Sequence, residues 1–194
     1  LSKRPMERII KPLKRMGAEI KSSSGCLPLK ILGNKHISSI SYEMPLASAQ
    51  VKASLLLASL YAEDESIIIE PSVTRDHSER MLKAMNCSIT CNNKKVKILQ
   101  PMKLQPLDIR IPGDFSSAAF LIAAFLIAKK SSLILRDVGI NPTRIGFLTI
   151  IKNMGAQIKL KNNRSFGDEP VADIYVQSSC LKGIEIDDSE LISL

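Results

Sequence analysis

The chain has 194 residues, of which 45% are hydrophobic and 24% are charged, so it can bury one large core or two small ones. A mean hydropathy of +0.07 argues against a disordered tail, and a formal net charge of +8 predicts an anionic partner: nucleic acid, an acidic membrane or a phosphorylated metabolite. The longest apolar run, residues 118–128, is far shorter than the about 20 residues that a bilayer requires, so no transmembrane segment is predicted.

Alternating helix and strand patterns predict the elements in chain order. The first are a helix over 5–16 and strands over 18–21 and 29–32. The next set comprises a strand over 37–42, a helix over 48–61, a strand over 66–70, a helix over about 76–85, and strands over 88–91 and 96–99 with a hairpin at 92–93. The last set comprises a strand over 107–111, a helix over 116–128, a strand over 132–136, a helix over 142–153, and strands over 156–161 and 174–177.

Several helix starts carry capping signals. Ser48 is predicted to cap the helix over 48–61, and either Thr74 or Asp76 the next one. Asp76 with Glu79 resembles a capping box, and the Glu79 side chain is expected on a solvated face. Asn141 is predicted to cap the last helix with Pro142 in its first position. These signals agree with the apolar periodicity and fix where the helices are expected to begin.

A repeat of 69 residues organises these elements. The string MGAEIK at residues 16–21 recurs as MGAQIK at 154–159, with a degenerate copy, MNCSIT, at 85–90. Arg75 and Arg144, each at the start of a predicted helix, are also 69 residues apart. Each complete unit reads β-α-β-α-β-β, which predicts an α/β (α+β) fold of repeated units. The chain holds about 2.8 such units and begins inside one, so we expect a piece of a longer protein.

Metal and disulfide chemistry have little support. The two histidines, His36 and His77, are 41 positions apart and have no carboxylate at metal-ligand spacing, so no metal site is predicted. His77 could act as an acid or base, but a hydrogen bond at a helix start is the simpler role. The cysteines, at positions 26, 87, 91 and 180, are too scattered for a disulfide scaffold, and no signal-peptide core follows the first residues. Reduced thiols and a cytoplasmic location are expected.

Polar residues gather at predicted helix starts. Arg4 precedes the first helix, Ser48 and Gln50 begin the apolar helix, and Arg75 precedes the next. A helix N-terminus offers free N–H groups and partial positive charge, and a guanidinium can clamp a phosphate or carboxylate. Taken singly, an N-cap for Ser48 and a solvated charge for Arg75 are simpler interpretations. The repeat favours an anion site because it could bring equivalent helix ends together.

Six strings together resemble the 5-enolpyruvylshikimate-3-phosphate synthase family over essentially the whole chain. They are RPM at 4–6, SAQVK at 48–52, RDHSERML at 75–82, PGDFSSAAF at 112–120, NPTR at 141–144 and EPVADI at 169–174. The Ser-Ala-Gln and Arg-Asp-His forms resemble the bacterial variant whose enzymes tolerate glyphosate, of which Ala49 is one mark.

The resemblance implies the enolpyruvyl transferase fold, with two inside-out α/β barrel lobes of three βαβαββ units each and substrates in the cleft between them. Residues 1–112 would then be part of the first lobe, with one partial and one complete unit. Residues 113–194 would be the first unit of the second lobe. The segment at 114–117 is open to two interpretations, a ligand loop or, more simply, a capped crossover between lobes.

The implied activity is transfer of the enolpyruvyl (1-carboxyvinyl) group from phosphoenolpyruvate to the 5-hydroxyl of shikimate-3-phosphate, with release of phosphate. It belongs to the shikimate pathway toward chorismate and aromatic amino acids, and the full-length enzyme is expected to be a cytoplasmic monomer without metal or cofactor. The resemblance implies that shikimate-3-phosphate is bound by Ser48, Ala49, Gln50 and Arg75, and phosphoenolpyruvate by Arg4 and Gln50.

The resemblance also implies that catalytic groups lie outside this chain. A Lys-Ser pair is expected before its first residue and the catalytic Asp after its last, so the chain alone is expected to be inactive. Asp187, Asp188 and Glu190 lie where the family is variable and are assigned no role.

Three alternatives remain open at this point. The enolpyruvyl transferase that acts on UDP-N-acetylglucosamine shares the fold, but the strings at 48–50 and 75–77 favour the shikimate enzyme. A nucleic-acid-binding module is suggested by charge alone. The third alternative is an inert folding unit.

Overall fold

The computed structural model describes residues 2–33, 36–101 and 103–186. Asp187, Asp188 and Glu190 therefore lie outside the described residues. The chain divides into two units, Leu1–Pro106 and Leu107–Leu194. The assignment of lobes to residues 1–112 and 113–194 stays a prediction.

The first unit combines three helices with an antiparallel hairpin and a mixed four-stranded sheet. Its elements are α1 (Glu7–Arg15), β1 (Glu19–Ser23), β2 (Cys26–Leu32), β3 (Ser41–Glu43), α2 (Ala49–Ser59), β4 (Ser66–Ile69), α3 (His77–Ala84), β5 (Ser88–Asn92) and β6 (Lys95–Leu99). Strands β1 and β2 form a hairpin, and the larger sheet has the order β3-β4-β6-β5, in which β3 is parallel to β4 and the other pairs are antiparallel. Leu55 and Leu56 of α2 pack with Ile68 and Ile98 of the sheet in a fully buried core.

The second unit repeats this plan with two helices over one sheet. Its elements are α4 (Phe115–Ile127), β7 (Ser132–Gly139), α5 (Gly146–Asn153), β8 (Gln157–Phe166) and β9 (Glu169–Gln177). The sheet order is β7-β9-β8, with both pairs antiparallel. Ile122 and Leu126 of α4 pack on Ile174 and Val176 of β9. No helix in the described part of the chain is long and apolar enough to cross a bilayer.

The repeat predicted from the sequence is present in the structure. Strands β1, β5 and β8 begin at residues 19, 88 and 157, which are 69 residues apart. In the first unit β4, which follows the apolar helix α2, pairs with β6, and β6 pairs with β5. In the second unit β7, which follows α4, pairs with β9, and β9 pairs with β8. The predicted α/β class and the 69-residue repeat are confirmed, and the second unit follows the βαβαββ plan without a first strand.

Of the predicted strands, one is absent and one is shorter than expected. Residues 107–111 form no strand, and only Gly113 pairs there, in a single parallel bridge with Val138. Pro106 and Pro112 flank this stretch, and proline has no N–H to donate to a ladder. The strand predicted over 37–42 is reduced to β3 and an isolated parallel bridge between Ile37 and Ala62.

The helix predicted from Pro142 begins four residues later, at Gly146. The side chain of Asn141 accepts a hydrogen bond from the Thr143 amide at 2.9 Å, and the Asn141 carbonyl accepts one from the Arg144 amide at 2.9 Å. These bonds close an Asx turn, so the asparagine stabilises a turn before the helix and does not cap it.

The predicted capping box at α3 is also wrong. Asp76 is the N-cap residue, but its side chain makes no capping hydrogen bond and forms an ion pair with Arg80 at 2.9 Å. Glu79, expected on a solvated face, is only 4% exposed because this side of α3 packs against Lys52 of α2, with a carboxylate–ammonium distance of 2.6 Å.

Candidate anion-binding site

The start of α2 is a capped helix N-terminus. Ser48 has extended backbone, and its Oγ accepts a hydrogen bond from the Val51 amide at 3.4 Å. Ser48 is therefore an N-cap, as its simpler interpretation predicted. Its hydroxyl proton is still available to a ligand, because the capping bond uses only the oxygen as an acceptor. The first amides of α2, at Ala49 and Gln50, have no intrahelical carbonyl to bond and can also receive an anion.

Helix α1 supplies an arginine to this helix start. Arg8 Nη2 donates to Gln50 Oε1 at 3.2 Å, and both residues are exposed. Because the Gln50 Oε1 atom accepts this hydrogen bond, the NH₂ group of the same amide points the other way and can donate to a ligand. Sequence reasoning missed Arg8, because its partner Gln50 is 42 positions away in the sequence.

The other two arginines of the predicted set lie in exposed segments. Arg4 is in the turn before α1, and Arg75 is in the segment between β4 and α3. Among the residues that the structure describes, no hydrogen bond joins either arginine to Gln50. The structure therefore groups Ser48, Ala49 and Gln50 at one helix start, and it leaves the contribution of the two arginines as a prediction.

The net charge is concentrated in the unit that carries these residues. Residues 1–106 contain 17 Lys and Arg against 9 Asp and Glu, whereas residues 107–194 contain 10 of each. The whole excess of +8 thus belongs to the first unit. A net excess of positive charge raises the local concentration of anions and favours an anionic ligand in the first unit.

A buried ion cluster, which we call the Lys52 triad (Lys52, Glu70 and Glu79), lies below the surface of the first unit. Lys52 Nζ is 3.0 Å from Glu70 Oε2 and 2.6 Å from Glu79 Oε1, and the three side chains are 2%, 2% and 4% exposed. Thr74 Oγ1 donates to the second oxygen of Glu70. Sequence reasoning missed the triad, although a lysine within an otherwise apolar helix was a signal that it would need buried partners.

Glu79 is the least satisfied member of the triad. Burial raises the pKa of its carboxyl above the ordinary value, and this outweighs the opposing hydrogen bond from Lys52. Its Oε2 atom is buried and has no hydrogen-bond partner among the described residues. One ammonium therefore serves two carboxylates in a nearly dry environment.

The equivalent helix start in the second unit holds its own anion. Asp114 caps α4 by accepting hydrogen bonds from the amides of Ser116 and Ser117 at 3.3 and 2.9 Å. The Ser117 hydroxyl and these amides lower the pKa of the Asp114 carboxyl. Arg144, the repeat partner of Arg75, lies 3.6 Å from Asp114. The segment at 114–117 is thus a capped helix start, and a carboxylate occupies the place that neutral Ser48 has in the first unit.

The described residues contain no group of three or more His, Cys, Asp or Glu side chains that could hold a metal ion. All four cysteines are free thiols, and burial raises the pKa of Cys87. His77 is the exposed first residue of α3.

Comparison with known proteins extends over the whole chain. The family model described as EPSP synthase (3-phosphoshikimate 1-carboxyvinyltransferase) matches residues 1–194. A 3-phosphoshikimate 1-carboxyvinyltransferase from Ruthia magnifica is 50% identical over 194 residues, which are 100% of this chain and 44% of the relative. One from Endomicrobium trichonymphae is 50% identical over 97% of this chain and 44% of the relative.

A solved structure of EPSP synthase from Acinetobacter baumannii superposes with a TM-score of 0.91 at 44% identity, covering 100% of this chain and 44% of the other. The chain thus spans less than half the length of the relatives that it matches.

Proposed function

Because this chain belongs to the EPSP synthase family, we propose that it forms part of an enzyme that transfers the enolpyruvyl group of phosphoenolpyruvate to the 5-hydroxyl of shikimate-3-phosphate. The family match over all 194 residues favours this reaction over the UDP-N-acetylglucosamine reaction and over nucleic-acid binding. The products are 5-enolpyruvylshikimate-3-phosphate and phosphate, in the route toward chorismate and aromatic amino acids in the cytoplasm.

The observation that carries the proposal is the start of α2 beside α1. We infer that Ser48, Ala49 and Gln50 bind shikimate-3-phosphate through the serine hydroxyl, the free helix amides and the glutamine NH₂ group. The Arg8 hydrogen bond, at 3.2 Å to Gln50 Oε1, supports this orientation of the amide. Both substrates are anions, and the excess charge of +8 in residues 1–106 supports their attraction to this unit.

Two exposed arginines complete the proposed site. Arg75 would approach the phosphate of shikimate-3-phosphate, and Arg4 would hold phosphoenolpyruvate together with Gln50. A guanidinium makes two parallel hydrogen bonds to a phosphate or carboxylate. These bonds fix the orientation of the ligand as well as balancing its charge. Arginine charge would also stabilise the anionic tetrahedral intermediate that forms when the 5-hydroxyl adds to the enol carbon, before phosphate leaves.

The proton transfers of this reaction need an acid and a base. They deprotonate the attacking hydroxyl and protonate the methylene carbon, and the resemblance assigns them to side chains outside residues 1–194. We therefore expect the isolated chain to bind shikimate-3-phosphate without turning it over. Phosphate release above a no-protein control, with both substrates present, would contradict this expectation.

The decisive experiment is a nuclear magnetic resonance titration of the isotope-labelled chain with shikimate-3-phosphate. We expect shifts in the backbone amides of Ser48, Ala49 and Gln50 and in the Arg75 Nε–Hε resonance. Arg75→Ala should weaken binding by roughly 2–5 kcal/mol if a desolvated charge pair is lost. The control Lys14→Ala removes the same charge from the exposed last turn of α1 and should leave the affinity unchanged.

Two outcomes would contradict the proposed function. In the first, shikimate-3-phosphate leaves the α2 resonances unmoved. In the second, the chain binds RNA tightly with a steep dependence on salt, which would favour the nucleic-acid alternative.

A further inference from the structure

The Lys52 triad joins the elements that flank the proposed site. Lys52 lies in α2, two residues after Gln50, Glu70 directly follows β4, and Glu79 lies in α3. The segment between Glu70 and α3 contains Arg75. The Lys52 ammonium therefore links the start of α2 to both ends of the segment that contains Arg75.

Stability alone does not account for this cluster. Buried ion pairs lose most of their Coulomb attraction to desolvation, and apolar side chains of similar volume often give equal or greater stability. The triad has the further cost of a buried carboxylate oxygen without a partner and of a Glu79 carboxyl whose pKa is raised by burial. What ion pairs add over apolar contacts is direction, since each hydrogen bond fixes one atom relative to another.

The cluster reaches the arginine through one hydroxyl. Thr74 Oγ1 donates to Glu70 Oε1, while the other oxygen of Glu70 is 3.0 Å from Lys52 Nζ. Thr74 directly precedes Arg75 in the chain. The hydrogen bonds therefore run without interruption from α2 through Lys52 and Glu70 to the residue next to the arginine.

We propose that Lys52, Glu70 and Thr74 are positioning residues that hold the Arg75 segment in register with the start of α2, so that both meet the phosphate of one ligand. The proposal rests on the proposed function, because it takes shikimate-3-phosphate as that ligand. None of the three residues needs to touch the ligand: two are almost fully buried, and Thr74 is half-buried.

The sharpest test is Thr74→Val, which removes the hydroxyl and keeps the shape and charge of the site. We expect the affinity for shikimate-3-phosphate to fall about fivefold, which corresponds to one hydrogen bond. Amide hydrogen exchange should become faster over residues 73–77, and the thermal midpoint should fall by a few degrees because the buried Glu70 Oε1 loses its partner. The matched control is Thr90→Val at an exposed position of β5, which should change neither the affinity nor the exchange.

The second variant, Lys52→Met with Glu70→Leu and Glu79→Leu, replaces the triad by apolar side chains. We expect it to fold with a thermal midpoint close to that of the parent and to bind shikimate-3-phosphate about tenfold more weakly. Lys97→Met serves as control, because Lys97 forms an exposed ion pair with Glu65 at 3.0 Å in the same unit. Should the triple variant fail to fold, Thr74→Val decides the question alone.

The outcomes separate this proposal from the proposed function. If the parent chain binds shikimate-3-phosphate and Thr74→Val binds it equally well, the positioning role is wrong and the function stands. If the parent chain does not bind it, the proposed function fails for this chain. Hydrogen exchange over residues 73–77 then still decides whether Thr74 orders the segment, and unchanged exchange would overturn the proposal.

Discussion

Three residues with left-handed backbone explain the most regular motif of the repeat. Gly17, Asn86 and Gly155 have φ values of 98°, 63° and 97°, and each follows a methionine that ends a helix. In each copy the next two amides bond back to the last turn, as in the bonds from Gly155 to Lys152 and from Ala156 to Ile151, both 2.9 Å. This is a Schellman motif, which needs a residue that tolerates positive φ. The copy with asparagine is degenerate in sequence but keeps this property.

The Schellman motif predicts a specific cost for losing a glycine. Gly155→Ala should lower the free energy of unfolding by about 1 kcal/mol, because an L side chain is strained at this φ. A Cβ at this position would lie 3.5 Å from the Cys180 carbonyl oxygen, so the cost arises in the backbone and not from a clash. Urea unfolding monitored in the second unit measures it.

The matched control for Gly155→Ala is Gly183→Ala. A Cβ at Gly183 would meet no atom within 4 Å, and this variant should be neutral or slightly stabilising. Equal losses of stability in the two variants would show that positive φ is not the cause.

The sheet of the second unit is organised around one carboxylate in its central strand. The register of β9 shifts against both neighbours, and the bulges place Asp137 and Asn162 at positive φ. Asp173 of β9 accepts hydrogen bonds from the Asp137 amide at 3.0 Å and from Asn162 Nδ2 at 2.9 Å. Arg164 Nη2 adds a third, at 2.7 Å. This single side chain therefore satisfies donors from both bulges.

These bonds predict how the second unit responds to acid. The hydrogen bonds from Arg164, Asn162 and the Asp137 amide hold the pKa of Asp173 well below its usual range. A carboxyl with a lowered folded-state pKa stabilises the fold above its unfolded pKa of about 3.9, and that contribution is lost as the pH falls toward the folded value. Asp173→Asn should therefore lower the thermal midpoint at pH 7 and reduce its further fall between pH 5 and pH 3.

Asp108→Asn is the control for this acid response, since Asp108 is exposed in the segment before α4. It should leave both the midpoint at pH 7 and its pH dependence unchanged. An Asp173→Asn variant that keeps the full pH dependence of the parent would show that another group governs acid unfolding of this unit.

Local signals in the sequence were sufficient for several elements. The β-branched run at residues 66–70 forms β4, the Asn92–Asn93 pair marks the hairpin between β5 and β6, and Ser48 caps α2. Each of these depends on neighbours within a few residues, so periodicity and turn chemistry identify it.

Features that depend on distant residues could not be found in the same way. Glu79 was expected in solvent as a charged helix residue, whereas its partner Lys52 is 27 positions away in the sequence. Asn141 carries a good capping signal, but its side chain also donates to Glu169, 28 positions away, and the helix begins later. Tertiary contacts override the local preference in both cases.

Charge is divided unequally over the molecule, and the division has a consequence for ligands. The first unit carries the whole excess of +8, whereas the second is balanced. In the second unit the helix start at α4 is also neutralised by Asp114, which lies 3.6 Å from Arg144. The two copies of one supersecondary unit are therefore expected to differ in their affinity for anions, although their topology is the same.

This difference can be measured with inorganic phosphate as the probe. In a titration of the labelled chain we expect amide shifts around Ser48 and Gln50 and none around Ser116 and Ser117, because the Asp114 carboxylate already occupies the second helix start. Raising the salt from 10 to 150 mM shortens the screening length from about 30 Å to about 8 Å, so the affinity should fall several-fold.

Asp114→Asn provides the internal control, because asparagine caps a helix as well as aspartate does but carries no charge. Phosphate should then shift the α4 amides as well, because Arg144 no longer has a carboxylate partner at this helix start. If phosphate perturbs both helix starts equally in the parent chain, or binds without dependence on salt, charge does not distinguish the two units. The selectivity of the first unit would then have to come from the geometry of its side chains alone.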